Sequence, residues 1–216
     1  MHKIALIVAS GIGKRMNTAI PKQFLLLNRL PVLMHTLKQF SHFEEIVLVL
    51  PSTQFDYWYS LCKTYDFTLQ HTLVAGGKTR FHSVKNGLEK VTANSIVAIH
   101  DGVRPLASTS LINRLISQTK EGIGIIPIIP VKDSIRKIDG EDSTHINKNK
   151  LYKVQTPQCF FGSDIKTAYT QEFSAHFTDD ASVFESNHGK ITAISGEERN
   201  LKITTKEDLK ITEVLA

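Results

Sequence analysis

Only two cysteines, Cys62 and Cys159, and one tryptophan occur in the 216 residues. Two cysteines so far apart build no disulfide framework and no Cys-x-x-Cys metal motif, so both read as buried free thiols in a reducing compartment. No apolar run approaches the roughly 18 residues that a membrane span needs, and the best candidate, "IGIIPIIPV", is cut by Pro127 and Pro130. The opening "MHKIALIVASG" is too short in its apolar part for a secretory signal and reads as a buried strand. Walker A, G-x-G-x-x-G and G-x-S-x-G patterns are all missing, which argues against P-loop, dinucleotide and serine-hydrolase chemistry. Of nine histidines, His35, His71, His82 and His188 fall at no metal-ligand spacing and read as packing or surface residues. Aromatic residues are few, at 8%, and are not interleaved with the basic ones, as a base-stacking platform would require. We expect a cytoplasmic, soluble protein.

What is present is a moderate excess of positive charge, 26 Lys and Arg against 21 Asp and Glu. Anionic partners follow, either phosphorylated metabolites or nucleic acid. Short β-branched runs alternate with amphipathic stretches of helical length: "KIALIVAS" then "LPVLMHTLKQF", "EIVLVL" then "TQFDYWYSLCKTY", "TLQHTLV" then "RFHSVKNGLEKV", "SIVAIH" then "TSLINRLISQTK". That rhythm predicts an α/β fold, a mostly parallel sheet with helices on both faces. Ser52, Ser108, Thr178 and the pair Thr205 and Asp208 are the expected helix caps. From about 131 to 152 the rhythm gives way to polar, turn-rich sequence with "DG" at Asp139 and Gly140, which predicts a projecting hairpin arm on a single domain spanning 1–216.

Ligands of such sheets sit beyond the C-terminal strand ends. There the chain places "VASGIGKRMNTAIPKQF", in which Ala9, Ser10, Gly11 and Gly13 let backbone approach a phosphate chain while Lys14, Arg15 and Lys22 bring cations. A tight turn alone would need none of the three. "AGGKTRFHSV" offers Gly76, Gly77 and Ser83 as a second anion- or base-contacting corner, and "IHDGVRP" ends a strand in His100, Asp101 and Arg104. Asp101 and Arg104 suit either a ligand site or an ion pair that ties down a turn, and the heptapeptide does not choose. Thr156, Thr178 and Lys202 punctuate later apolar segments. The candidate chemistry is electrostatic, built from Lys, Arg and backbone N–H groups around phosphates.

In order along nearly the whole chain, "ASGIGKRM", "PKQF", "GGKTR", "HDGVRP", "PVKDSI", "QTPQ", "TDDAS" and "NLKITT" resemble the 2-C-methyl-D-erythritol 4-phosphate cytidylyltransferases of the non-mevalonate isoprenoid pathway. The resemblance implies transfer of CMP from CTP to methylerythritol phosphate with release of pyrophosphate, on a Rossmann-like nucleotidyltransferase sheet. It also implies a Mg2+ ion held mainly by the CTP phosphates, with no dedicated metal residues. A homodimer would form through the β-arm, which would complete the partner's site.

Carried over residue by residue, Arg15 and Lys22 match the family's transition-state stabilisers. Ala9, Ser10, Gly11, Gly77, Ser83, Asp101 and Gly102 match its CTP cradle. Arg104, Ser134, Lys148, Thr156, Thr178 and Lys202 match its acceptor site, with Lys148 and Lys202 positioning the acceptor phosphate. Val8, Ser10, Lys78, Ser134 and Lys148 depart from the family's usual residues, and Lys148 keeps the charge while losing the bidentate fork of an arginine. The sister ribitol 5-phosphate cytidylyltransferases share much of the CTP half, but "PVKDSIRKI" is closer to the methylerythritol phosphate family's arm. A non-catalytic nucleotide- or RNA-binding module is the alternative of another class, and the cations' position on strand-end loops speaks against it.

Overall fold

The computed structural model describes residues 1–11 and 20–216. In chain order, β1 is His2–Val8, β2 Leu26–Leu27, β3 Leu30–Pro31, α1 Val32–Lys38, β4 Glu45–Leu50, α2 Phe55–Thr64, β5 Thr72–Ala75, α3 Arg80–Leu88, β6 Ser95–Asp101 and α4 Thr109–Gln118. Then follow β7 Ile123–Pro130, β8 Ile135–Asp139, β9 Asp142–Ile146, β10 Tyr152–Val154, β11 Gln158–Phe161, α5 Gly162–Ala168, α6 Asp180–Ser186, β12 Lys190–Ser195 and α7 Lys206–Leu215.

β1 lies between β6 and β4, with β5 beyond β4, and all these pairings are parallel. β11 pairs antiparallel with β6, and β7 follows it. β10 and β11 run one after the other along one flank of β7, separated by a cis Thr156–Pro157 peptide, while β12 pairs parallel with the other flank.

The buried strands explain the layering. Successive side chains of a strand point to opposite faces, and in β1 Ala5 and Ile7 join one apolar cluster while Ile4, Leu6 and Val8 join the other. Met34 and Leu37 of α1, Trp58 of α2 and Leu111 and Ile112 of α4 complete the first cluster. Phe81 and Val84 of α3, Ile165 of α5 and Phe184 of α6 complete the second. Each fully buried Leu, Ile or Phe contributes about 1.5–3 kcal/mol, so the two-sided burial of a run such as Ile46–Leu50 is the main support of the sheet. This is the mostly parallel, helix-covered sheet the alternating pattern predicts.

Local details differ in three places. Ser108 caps α4 and Thr205 with Asp208 forms a capping box on α7, as expected. The cap of α6 is Asp179, one residue after Thr178, because Asp179 accepts from the Ser182 N–H while the Ser182 hydroxyl takes the N–H of Asp179. Ser52 caps nothing, since Pro51 leads into a short 3-10 turn, Ser52–Gln54, and α2 starts only at Phe55. Of "TLQHTLV", only Thr72–Ala75 pairs as strand.

β8 and β9 form a separate two-stranded hairpin in which Asp139 faces Asp142 and Gly140 takes φ +60°. Glycine reaches that left-handed conformation without strain, which is why the "DG" pair marks the turn.

Candidate active site

β1, β4, β5 and β6 are parallel, so their C-terminal ends lie on one side of the sheet. Four loops meet there: Ala9–Gly11 after β1, Pro51–Thr53 after β4, Gly76–Thr79 after β5 and the Asp101 corner of β6. Together with Lys22, Gln23, Arg80, Val103 and Lys202 they line a cleft of about 520 Å3, a size suited to a nucleotide.

Gln23 is buried and holds the cleft wall, donating to the carbonyl of Ala9 and to Oε1 of Gln54. The Ser10 hydroxyl lies 2.7 Å from that of Ser83, which also accepts the Gly77 N–H and donates to the Thr79 carbonyl. Lys22 Nζ donates to the carbonyl of Ile203 at 3.0 Å, bringing the "PKQF" and "NLKITT" segments together. Two glycines differ in what they do. A Cβ on Gly102 would meet the Ala9 side chain at 2.7 Å, so packing demands glycine there. A Cβ on Gly11 would meet nothing within 4 Å among the described residues, so no packing contact with them demands glycine there.

A second cleft, of about 270 Å3, opens beside the first and is lined by Arg104, Val154, Gln155, Thr156, Gln158, Thr178 and Asp179. Arg80, Asp101 and Lys202 line both, forming a shared wall. Asp101 is the hub of that wall. Its Oδ2 sits 3.0 Å from Arg104 Nε and 3.1 Å from Lys202 Nζ, and its Oδ1 sits 3.8 Å from Arg80 Nε. Burial opposes the charged form, but Lys202, Arg80 and Arg104 outweigh it and hold the Asp101 carboxyl well below the usual carboxylate range. Arg80 is itself gripped by Asp180 through two 2.7 Å hydrogen bonds, and Asp180 also accepts from the Tyr169 hydroxyl at 2.6 Å.

Beneath the wall, the Thr156 hydroxyl accepts the Asp101 N–H at 3.0 Å and donates to His100 Nδ1 at 2.9 Å, while His100 Nε2 donates to the Arg104 carbonyl. Burial pushes His100 down to about 4, so it is neutral near pH 7 and can play both parts. Asn200 ties in the far side, its backbone carbonyl accepting from Arg104 and its amide donating to the Thr156 carbonyl.

The structure therefore brings Ala9, Ser10, Gly11, Gly77, Lys22, Asp101 and Lys202 to one cleft and Arg104, Thr156, Thr178 and Lys202 to the other. Ser83 and Gly102 stand just behind, Ser83 through its bonds to Ser10 and Gly77. The ion pair of Asp101 and Arg104 is present, and both residues also line the smaller cleft. Arg15, with Lys14 and Gly13, lies outside the described residues. Ser134 and Lys148 line neither cleft, and the Lys148 ammonium donates to the Lys132 carbonyl. The histidines pack as expected: His71 accepts from Trp58 Nε1, and His35 bonds the Leu27 carbonyl.

Sequence reasoning did not single out Arg80, Gln23 or Asp180. The first two lie inside the quoted "GGKTR" and "PKQF" segments, and the third inside "TDDAS". Among the described residues no three His, Cys, Asp or Glu side chains gather as a metal cage.

A family model described as 2-C-methyl-D-erythritol 4-phosphate cytidylyltransferase (IspD) matches residues 3–216. The chain belongs to this family. The cytidylyltransferase of that name from Azobacteroides pseudotrichonymphae is 46% identical over 99% of this chain and 98% of its own, and that from Bacteroides fragilis 44% identical over the whole of both. The crystal structure of 2-C-methyl-D-erythritol 4-phosphate cytidylyltransferase from Thermus thermophilus superposes with a TM-score of 0.82 at 27% identity, covering 100% of this chain and 98% of that one. The corresponding synthase from Anaerococcus prevotii gives 0.80 at 29%, covering 99% and 97%. No helix among the described residues is long and apolar enough to cross a membrane.

Proposed function

We propose that this chain transfers CMP from CTP to the phosphate of 2-C-methyl-D-erythritol 4-phosphate, giving 4-diphosphocytidyl-2-C-methyl-D-erythritol and pyrophosphate in the cytoplasm. The observation that carries the reading is the pair of clefts joined at one wall, Arg80, Asp101 and Lys202. Two anionic substrates placed on either side of a cationic partition meet where Lys202 stands. CTP occupies the 520 Å3 cleft, its uncharged end against Ser10 and Gly77, which Ser83 braces from behind, and its phosphates toward Lys22. The acceptor occupies the 270 Å3 cleft among Arg104, Thr156 and Thr178.

An oxygen of the acceptor phosphate attacks the α-phosphorus, and the bond from that phosphorus to the bridging oxygen of the β-phosphate breaks, its electron pair leaving with pyrophosphate. The attacking oxygen is already an anion, so no side chain has to remove a proton. The barrier is the approach of two anions and the charge built around phosphorus, which cations fixed in advance relieve. Lys22 and Arg15 supply that relief, while Lys202 holds the acceptor phosphate. A Mg2+ ion fits this site as a passenger of the triphosphate. Asp101 is the one carboxylate lining the larger cleft among the described residues and is already engaged by cations, so a metal would be held by the substrate phosphates and would supply neutralising charge there.

The hairpin at 131–152 is read as a dimer arm. Its strands are largely exposed, and Ser134 and Lys148 line neither cleft of their own chain, which supports their serving the neighbouring subunit of a homodimer.

The test is pyrophosphate release by the purified protein with CTP, Mg2+ and either methylerythritol phosphate or ribitol 5-phosphate. Faster turnover with methylerythritol phosphate is expected. Preference for ribitol 5-phosphate would reassign the acceptor, and salt-sensitive RNA binding without turnover on either would remove the activity.

A further inference from the structure

Arg80 lines both clefts, yet its terminal nitrogens are spent on Asp180, a carboxylate with no exposed side-chain surface that is also bonded by Tyr169. What remains facing the wall is Nε, 3.8 Å from Asp101 Oδ1, on the opposite oxygen from the one that Arg104 and Lys202 share. Removing the terminal nitrogens from play makes Arg80 a poor ligand for substrate and a well-fixed charge beside Asp101.

We propose that Arg80, clamped by Asp180 and Tyr169, is a positioning residue that draws on the Asp101 carboxylate and so keeps Lys202 and Arg104 available to the acceptor phosphate. The inference rests on the reading of the smaller cleft as the acceptor site. With three cations around one carboxylate, each is only partly neutralised. With Arg80 gone, Lys202 and Arg104 alone share the Asp101 charge, and the acceptor meets weaker cations. The nucleotide loses little, because both terminal nitrogens of Arg80 are already held by Asp180.

A bland alternative is that Arg80 exists only to neutralise buried Asp180. Removing one member of such a pair strands the other, whereas removing both does not. Three variants separate the two roles: Arg80→Met, Arg80→Met combined with Asp180→Asn, and Arg80→Lys. Steady-state KM is measured for acceptor and for CTP, with urea unfolding of each protein alongside.

We expect Arg80→Met to be destabilised and the double variant to recover most of that loss. In both, acceptor KM rises about tenfold while CTP KM stays within about threefold, the pattern of a lost ground-state contact to one substrate. A double variant of native stability with native acceptor KM overturns the proposal. If the double variant does not fold, Arg80→Lys decides, because it keeps a charge against Asp180 but removes the guanidinium Nε that stands 3.8 Å from Asp101: raised acceptor KM supports the proposal and an unchanged one overturns it. Absence of pyrophosphate release by the unaltered protein would instead refute the acceptor-site reading, and this inference with it, so the two failures are distinguishable.

Discussion

Thr156→Val changes a hydroxyl to a methyl at nearly constant shape, which makes its cost a measure of what the hydroxyl does. Thr156 is 5% exposed, and its hydroxyl partners two other buried groups, the Asp101 N–H and His100 Nδ1. Valine satisfies neither. A buried polar group left without its partner costs about 1–3 kcal/mol, so the pair predicts a loss of about 2–6 kcal/mol. Thr178, in the same cleft, is exposed, and among the described residues its side-chain hydroxyl has no hydrogen-bond partner, its backbone N–H being bonded to Ser182. Thr178→Val should therefore stay within about 0.5 kcal/mol of the unaltered protein. The assay is urea unfolding near pH 7.5 with linear extrapolation of each variant. If Thr156→Val unfolds at the native urea midpoint with the native slope, the hydroxyl is not the brace beneath Asp101. Its role would then be confined to touching the acceptor.

Lys22→Ala should lower kcat by about a hundredfold or more with the fold intact, as for loss of one preorganised transition-state donor; near-normal turnover would remove Lys22 from the chemistry. Gly102→Ala should destabilise by about 1–3 kcal/mol through its clash with Ala9, whereas Gly11→Ala should leave urea unfolding unchanged and raise the KM for CTP. Equal stabilities for the two alanine variants would contradict the contrast drawn between these glycines. His100, held neutral by burial with its pKa lowered to about 4, binds a proton less readily folded than unfolded. Its contribution is fully present above the unfolded value of about 6.5 and is lost as pH falls from there toward 4, by up to about 1.4 kcal/mol per pH unit. Urea midpoints measured from pH 7.5 to 4.5 should show that decline, and a flat profile would refute it.

The layered sheet was legible because its signal is local: β-branched runs such as Ile46–Leu50 are buried on both faces, and helical stretches such as Thr109–Gln118 show one apolar stripe. So was part of the larger cleft's lining, since Ala9, Ser10, Gly11 and Lys22 come from one short stretch of sequence. The partition between the clefts was not. Arg80 and Asp180 lie 100 residues apart, and nothing in either neighbourhood marks the other as its partner. Thr156 looked like a ligand-facing hydroxyl, yet it is also committed to His100 and the Asp101 backbone, a pairing set by how β11 returns beside β6. The cap of α6 was placed one residue early because Thr and Asp are both favoured N-cap residues. Only the reach of the Ser182 side chain selects Asp179.

Direct attack on the α-phosphorus by the acceptor phosphate is the claim on which the site's assignment turns. Methylerythritol phosphate labelled with 18O in its phosphate oxygens, incubated with CTP, Mg2+ and the protein, can be followed by 31P NMR. The account predicts a diphosphate product carrying 18O at the bridge between its two phosphorus atoms, and unlabelled pyrophosphate. Label in the pyrophosphate, or a bridge lacking 18O, would contradict it.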